Sequence, residues 1–384
     1  NFFSQIFSLI KRKPIFTFHF QCNSGILINR FNHLFNMNNL VSKIGVLIFV
    51  LSSVFVSAQD IHFTQFYMSP LNLNPAMTGV MNCKTRMIAN YRNQWAAVLA
   101  ANAYNTYSVS YDQKVPVGRE DYFGIGGSIW GDVAGESRFG TTQGRLSLSY
   151  SKKMAGYRKK ASYLVIGADA ALTNRSISQN DLRWPSQITE KGFDRSLPFN
   201  EPNFTDTNFL YPDVGAGLLW FSIIDNYTNW YVGAAIAHLN RPNVSFLGET
   251  VNLYSKYTIH AGLQFELQRR ISMLPFGVFM AQGPHRELNA GTNFRFALGP
   301  SRTTNQSWEV GAWYRIGNKV PSGLHSDAVI LSSRFNYENF GLGFSYDINV
   351  SGLRKAAAAN GAFEFSLIYN ICGPENRGVY CPRF

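Results

Sequence analysis

Histidine and serine side chains close together in the sequence are the first residues here that could do chemistry, because a serine hydrolase needs a nucleophile with a general base beside it. Beyond residue 58 the histidines are His62, His238, His260, His285 and His325. We expect His285 and His325 at the outward ends of strands, and His325 lies close to Ser322, Ser326 and Asp327. Such groupings arise by chance in polar loops. The sequence therefore predicts no catalytic residues and no enzyme.

The cysteines show no pattern of a metal site. The chain contains Cys22, Cys83, Cys372 and Cys381, without a Cys-x-x-Cys pair or a metal-like spacing. Cys372 and Cys381 close a small loop, and we expect them to form a disulfide in an oxidising periplasm, leaving Cys83 as the odd thiol. No metal and no cofactor are predicted.

Several segments of the chain alternate between two kinds of residue, and charged residues occupy one set of these alternate positions. Acids and bases are mixed among them, so they could line a charged pore or supply a pair of catalytic carboxylates. The alternative is an interior of mutually satisfied ion pairs and water, which we favour because no run of one sign marks an ion path. These residues are Arg145, Asp169, Glu266, Arg295, Glu309, Arg315, Arg334, Asp347 and Glu364.

The elements that position these charges are clearest between Ser333 and Ile371. Apolar residues occupy every second position from Phe340 to Ile348 and again from Phe363 to Ile371, with Ile368 as the one exception to the alternation. Successive side chains of a strand point to opposite faces, so the pattern requires an apolar environment on one side and a wet one on the other. Each run has about ten residues, enough for a tilted strand to cross a bilayer.

Similar alternation recurs between turn signals along the rest of the chain. Charged residues make up only 15% of the sequence, well below the roughly 25% of soluble domains, and no apolar run is long enough for a membrane-spanning helix. The fold is therefore predicted to be all-β: a transmembrane outer-membrane β-barrel of about 14 antiparallel strands in residues 86–371. The strands are predicted at 86–94, 104–111, 121–130, 141–153, 161–173, 213–224, 229–239, 255–268, 272–281, 287–297, 307–317, 326–336, 339–348 and 361–371.

Loop lengths should differ between the two ends of this barrel, with short periplasmic turns and longer outward loops. The longest predicted loop, Arg175 to Pro212, has more aromatic surface than an idle loop needs. We expect it to bind a partner through Trp184, Phe193, Phe199, Phe204 and Phe209.

The region ahead of the strands resembles a secretory signal. An apolar stretch from Ile44 to Val56 follows Lys43, and small residues precede Gln59. Residues 37–58 are therefore predicted to be a signal peptide, cleaved between Ala58 and Gln59. Residues 1–36 are interpreted as a non-native upstream extension from a wrongly assigned start; the alternative is a long, cleaved basic region.

Removing residues 1–58 lowers the formal charge from +12 to +7, with 30 basic and 23 acidic residues remaining. The bases are scattered, and their only dense cluster, 158–160, lies in a predicted turn. This distribution favours no nucleic-acid partner. We expect the protein to be surrounded by outer-membrane lipid.

Residues 59–85 differ from the strands that follow. Pro70 and Pro75 exclude a regular central strand, yet the segment is too apolar to remain in solvent. We expect it to fold back into or under the barrel as a plug or hatch, with a partner-docking role as the alternative. Phe63, Phe66, Asn74 and Pro75 mark this plug segment, and residues 372–384 are expected to be a periplasmic tail.

Motifs at both ends of the predicted mature chain resemble the PorP/SprF family of outer-membrane proteins of the type IX secretion and gliding machinery of Bacteroidetes. Met77, where an aromatic residue is commoner, is a mild departure. The resembling stretches are Phe63-Thr64-Gln65-Phe66, Asn74-Pro75-Ala76, Thr78-Gly79, Tyr91-Arg92-Asn93-Gln94-Trp95, Phe344-Ser345-Tyr346-Asp347-Ile348-Asn349, Gly361-Ala362-Phe363-Glu364-Phe365-Ser366-Leu367 and Cys381-Pro382-Arg383-Phe384.

The resemblance implies a non-catalytic barrel that works with the secretion apparatus. One branch of the family is tied to periplasmic lipoproteins of the machine, and the other helps deliver and hold large secreted adhesins by their C-terminal domains. We expect the second role. The alternative from another class is a 14-stranded transporter of hydrophobic small molecules, of the fatty-acid-transporter type, which would need an apolar interior.

Overall fold

The computed structural model describes residues 60–156, 160–190, 192–198, 206–225, 227–299, 306–318, 323–352, 354 and 360–372. Several expectations therefore lie outside the described residues. These are the upstream extension 1–36, the signal peptide 37–58 with its cleavage at Ala58 and Gln59, the tail beyond Cys372 with Cys381, and the side chains of Phe199, Phe204 and Ser322.

Fourteen antiparallel strands close into one barrel, as predicted. Each barrel strand pairs with the barrel strands before and after it along the chain, and the first strand pairs with the last to complete the ring. The barrel strands are β1 (Thr85–Gln94), β2 (Tyr104–Val117), β3 (Asp121–Ala134), β4 (Phe139–Ala155), β5 (Ala161–Ser176), β8 (Asn208–Ile223), β9 (Asn229–Ala237), β10 (Lys256–Gln268), β11 (Ile271–Gln282), β12 (His285–Ala297), β13 (Gln306–Asn318), β14 (Leu324–Tyr337), β15 (Phe340–Asn349) and β16 (Asn360–Ile371). A separate hairpin, β6 (Ile188–Thr189) and β7 (Gly192–Phe193), lies in the connection between β5 and β8.

Helical segments in the described residues are all short. None of them is long and apolar enough to cross a membrane. They are Phe66–Met68, Pro70–Leu73, Pro75–Met77, Ala96–Leu99, Ala100–Asn102, Gln179–Asp181 and Pro185–Gln187.

The two faces of the barrel wall have opposite chemistry. In β16, Phe363, Phe365 and Leu367 are exposed outward, whereas Glu364 and Ser366 between them are buried inside. Apolar residues outside and polar residues inside are typical of a barrel surrounded by lipid. The predicted faces are therefore confirmed.

The strand bounds match the predictions to within a few residues, with one instructive difference. β2 continues to Val117, whereas the prediction ended it at Tyr111, before Asp112 and Lys114. Both charged side chains point into the barrel, where they are buried and bonded, so charge at this point does not end the strand.

The barrel has two rims with different connections. The terminal rim, where β1 begins and β16 ends, carries turns such as 118–120, 269–270 and 338–339. The loop rim, where β1 ends, carries the longer connections 177–207 and 238–255. The predicted asymmetry of loop lengths is thus present, with two exceptions: the two-residue turn 283–284 on the loop rim and the eight-residue connection 298–305 on the terminal rim.

The predicted disulfide is wrong. Cys372 is bonded to Cys83 rather than to Cys381. Cys83 lies just ahead of β1 and Cys372 just behind β16, and the pairing of these two strands brings the cysteines together although they are 289 residues apart. The bond therefore joins the two edges of the closing seam at the terminal rim.

Candidate functional site

Residues 60–84, here called the inner segment, run through the interior of the barrel from one rim to the other. At the loop rim the backbone N–H of Asp60 donates to the side chain of Gln282, and at the terminal rim the N–H of Lys84 donates to the carbonyl of Ile371. Most of the residues between them are buried. The prolines prevent this segment from joining the sheet, and its three short helical turns satisfy part of its own backbone.

A cluster of charges fixes the inner segment at Thr64. The backbone N–H groups of Thr64 and Gln65 donate to the Glu364 carboxylate over 2.7 and 3.0 Å. Arg92 and Arg315 both donate to the Thr64 hydroxyl, and both also pair with the carboxylate of Asp347. Two arginines and two carboxylates thus balance one another around one buried hydroxyl.

Asn74 fixes the middle of the inner segment. Its side-chain N–H₂ group donates to the carbonyls of Leu218 and Ala234 and lies 3.0 Å from the ring of His260, while its side-chain oxygen accepts from the N–H of Ala76. The barrel wall approaches so closely here that a Cβ on Gly217 would overlap the Asn74 side chain. The absence of a side chain at Gly217 therefore allows the inner segment to approach the wall closely.

A third attachment lies near the terminal rim. Arg86 donates to both oxygens of Asp112 and to the carbonyl of Met77, and Asp112 also accepts from the N–H of Gly79 over 2.8 Å. Arg86 and Asp112 lie on adjacent strands of the barrel wall. The end of the inner segment is therefore held by an ion pair that belongs to the wall.

Aromatic packing fills the interior between these polar attachments. The Tyr67 ring stacks on Trp313 and on Phe276, with centroids 5.4 and 5.7 Å apart, and Phe66 meets Trp313 edge to face. Tyr67 and Phe66 belong to the inner segment and the other two rings to the wall. The segment is therefore packed against the wall as a core element.

At the loop rim the inner segment begins beside a histidine held between two carboxylates. The ring nitrogens of His238 lie 2.9 Å from Asp213 and 2.7 Å from Asp60. Burial lowers the pKa of His238, but the two nearby carboxylates outweigh it and raise that pKa to about 9. Burial likewise opposes ionisation of Asp60, and the charge of His238 outweighs it, so the pKa of Asp60 lies below its ordinary value. His238 is therefore a cation at neutral pH.

Aromatic residues narrow the mouth at the loop rim. Phe246, from the connection 238–255, packs edge to face against Phe139 and Phe209, which point inward from β4 and β8. The guanidinium of Arg175 lies 4.7 Å above the ring of Phe139. Phe209, predicted as a loop residue, therefore belongs to the wall of the mouth.

The connection 177–207 carries the other described members of the predicted partner-binding set. Trp184 lines a cavity of about 480 Å³ together with Leu182, Arg195 and Leu197. Phe193 lies in the small hairpin, where the guanidinium of Arg183 sits 5.4 Å above its ring. Phe199 and Phe204 lie outside the described residues, so the structure gives no contacts for them.

The histidines considered for hydrolysis do not form a catalytic set with the described serine. His285, His325 and Asp327 line one cavity of about 190 Å³ at the loop rim. Ser326 lies on the opposite face of β14, where it is exposed and accepts a hydrogen bond from Tyr314. His62 also lines this cavity.

Metal binding finds no support in the described part of the chain. Its histidine, cysteine and carboxylate side chains form no group that could hold an ion. The charges predicted to face inward instead pair with one another: Arg145 with Asp169 at 3.8 Å, and Arg295 with Glu309 at 3.8 Å. The expectation of mutually satisfied interior charges is confirmed for these pairs.

Sequence reasoning missed the Asp60–His238 contact and the Arg86–Asp112 attachment. The second could have been found, because Arg86 and Asp112 have the inward parity of their strands. The first carried no local signal, because His238 follows the end of β9 and its two partners lie 178 and 25 residues away.

The chain has a distant similarity to several solved structures. CdiB from Escherichia coli shares 9% identity with a TM-score of 0.43, over 74% of this chain and 62% of CdiB. The toluene transporter TbuX from Ralstonia pickettii shares 9% identity with a TM-score of 0.37, over 78% of this chain and 92% of TbuX. The toluene transporter TodX from P. putida shares 9% identity with a TM-score of 0.39, over 78% of this chain and 93% of TodX.

Two comparisons of the sequence itself give different results. No curated protein matches the chain. Residues 55–369, most of its length, match the family described as type IX secretion system membrane protein PorP/SprF.

Proposed function

The chain belongs to the PorP/SprF family of type IX secretion system membrane proteins, and from this membership we propose that it binds a large secreted surface adhesin and helps to secrete or anchor it. The family is a non-enzymatic membrane component of the secretion machinery, and the chain is a β-barrel of the bacterial outer membrane. Its partners in this proposal are the C-terminal domain of the adhesin and periplasmic lipoproteins of the machine.

The observation that carries the proposal is the filled interior of the barrel. The inner segment is bonded to the wall at Thr64, Asn74 and Gly79, with aromatic packing between these points. An interior closed in this way suits a protein that acts through its surfaces. We assign the inner segment the role of a plug.

The orientation follows from the general rule for outer-membrane barrels, in which the short turns face the periplasm and the longer loops face outward. The loop rim is then outside the cell and the terminal rim faces the periplasm. Connection 177–207 and the aromatic mouth beside it would meet an adhesin, and the terminal rim would meet periplasmic lipoproteins.

The transporter alternative receives no support from the interior. A carrier of hydrophobic small molecules needs an apolar passage, but Arg92, Arg315, Asp347 and Glu364 are buried in the interior of the barrel toward the loop rim. A cavity of about 290 Å³ at the terminal rim has Arg86, Arg295, Arg334, Glu309 and Glu338 in its walls. Such walls would leave an apolar molecule facing charged groups.

The test is an affinity purification from outer membranes in mild detergent, with co-purifying chains identified by mass spectrometry. Three proteins are compared: the native sequence, a variant with residues 178–206 replaced by a short Gly-Ser linker, and a control with residues 351–358 replaced in the same way. Both replacements lie in connections of the loop rim, outside the barrel strands.

We expect the native protein and the control to recover a large secreted surface protein, and the 178–206 variant to lose it. Recovery of periplasmic lipoproteins without any surface protein would move the function to the periplasmic branch. A barrel that carries bound lipid and no protein partner would overturn the proposal and favour the transporter.

A further inference from the structure

The connection between β1 and β2, residues 95–103, exposes apolar side chains at the loop rim. All residues from 96 to 102 are exposed, including Val98 and Leu99, which are 48% and 36% exposed. The one-turn helix Ala96–Leu99 contains both of them. Adjacent exposed Val and Leu side chains in an aqueous loop would be unfavourable, so the surroundings of this loop need an explanation.

The charge of this region points to an apolar environment. Residues 93–111, which contain the whole connection and most of the adjoining half of β2, include no acidic or basic side chain. Every other connection of more than two residues on this rim contains charge, for example Glu136, Arg183, Arg241, Lys319 and Arg354. A loop that faces only water would have no physical reason to lack charged side chains.

The connection continues the lipid-facing surface of the barrel. On the two strands that this connection joins, the outward residues Tyr91, Tyr104 and Tyr107 are 39%, 40% and 46% exposed. The Tyr91 ring lies 5.9 Å from that of Phe363. Outward tyrosines at a strand end are typical of the girdle at the membrane interface. The exposed apolar connection thus begins where the girdle ends.

We propose that residues 96–102 insert into the lipid leaflet at the loop rim and anchor the barrel beside its closing seam. An apolar turn without charge can lie in the headgroup and upper acyl region, with its side chains directed into lipid. By the orientation given above this is the outer leaflet of the outer membrane. The anchor is independent of which protein partner the barrel binds.

A nitroxide label tests the proposal directly. Leu99→Cys and, as the matched control, Val251→Cys are each made in a Cys22→Ser, Cys381→Ser background, so that the new thiol is the only one outside the Cys83–Cys372 disulfide. Val251 is also an exposed apolar residue of the loop rim, at 50%, but its connection contains charge. Both labelled proteins are reconstituted in phospholipid vesicles, and folding is checked by heat-modifiable gel mobility.

Collisions with oxygen, which partitions into lipid, are compared with collisions with a water-soluble nickel chelate. We expect oxygen to relax the label at position 99 more strongly than nickel, and the order to reverse at position 251. Adding Val98→Asp to the Leu99→Cys protein should raise nickel access at position 99. Nickel access at position 99 equal to that at position 251 would overturn the proposal, and so would protection of that label from both reagents, which would indicate a protein contact instead.

Discussion

His238 places one cation between two carboxylates that come from distant parts of the chain. Asp213 belongs to the barrel wall, whereas Asp60 is the first described residue of the inner segment. The histidine therefore connects the inner segment to the wall at the loop rim. Because both partners depend on its charge, the strength of this connection depends on pH.

The sign of that dependence follows from the two pKa shifts. The pKa of His238 is raised from 6.5 to about 9, so its contribution to stability is complete below about pH 6.5 and is lost as pH rises through 9. The pKa of Asp60 is lowered, so its contribution is present above about pH 4 and is lost as pH falls further. The connection is strongest between these limits.

Replacing Asp60→Asn should remove part of this pH dependence. Between about pH 6 and about pH 10 the native protein should lose more stability than the variant, because a charged hydrogen bond of this kind contributes about 1–3 kcal/mol. Thermal unfolding followed by circular dichroism in detergent measures both proteins. Asp194→Asn, a change of an exposed loop carboxylate, is the control and should behave like the native protein. Equal losses in all three proteins would show that His238 is not held by Asp60.

Gly217 shows how the wall accommodates the inner segment at a single position. A Cβ at this residue would overlap Asn74, whereas a Cβ at Gly144, on the outward face of β4, would meet nothing within 4 Å. Gly217→Ala should therefore destabilise the protein, by about 1–3 kcal/mol for overpacking of a tight interior, and Gly144→Ala should not. Urea unfolding measures the difference. If both variants unfold at the same urea concentration, Asn74 has room to move.

At the level of elements, β1 and β16 form the seam of the barrel. Every other pair of neighbouring barrel strands in the described residues is consecutive in chain order, whereas β1 and β16 are the first and the last. The disulfide between Cys83 and Cys372 joins its two edges. Cross-linking residues this far apart restricts the unfolded chain strongly. The seam thus receives a covalent reinforcement at the terminal rim.

The double variant Cys83→Ser with Cys372→Ser should be less stable by about 2–4 kcal/mol, the usual contribution of a disulfide. Cys381→Ser is the control and should leave stability unchanged. Guanidinium unfolding, with and without reducing agent, measures the effect. A native protein whose unfolding is insensitive to reduction would contradict the stabilising role of the bond.

Elements were easier to predict from the sequence than contacts. Alternation identifies strands such as β15 and β16 because lipid and a polar interior act on opposite faces of every strand. The partner of Cys372 could not be predicted in this way, because Cys381 is near in sequence and Cys83 becomes near only when the barrel closes. The contacts of Thr64 and Asn74 are of the same kind, since their partners lie on strands far along the chain.

For the whole molecule, a filled barrel should not conduct ions. In planar bilayers the native protein should be silent, and a variant lacking residues 60–82, which keeps Cys83, should show steady conductance. The variant lacking residues 178–206 keeps its inner segment and should remain silent. A shortened protein that retains heat-modifiable mobility but does not conduct would show that other residues close the interior.

The path of the inner segment also restricts how the protein can be assembled. The segment immediately precedes β1, and its first described residue lies at the rim opposite to the start of that strand. A barrel that closed first would leave its own N-terminal stretch to be threaded through a finished ring. We therefore expect the sheet to curl around the segment during insertion, with β1 and β16 meeting last. A bulky fusion ahead of Asp60 would have to be carried to the far side of the membrane during that step, so a purification handle is better placed within connection 350–359.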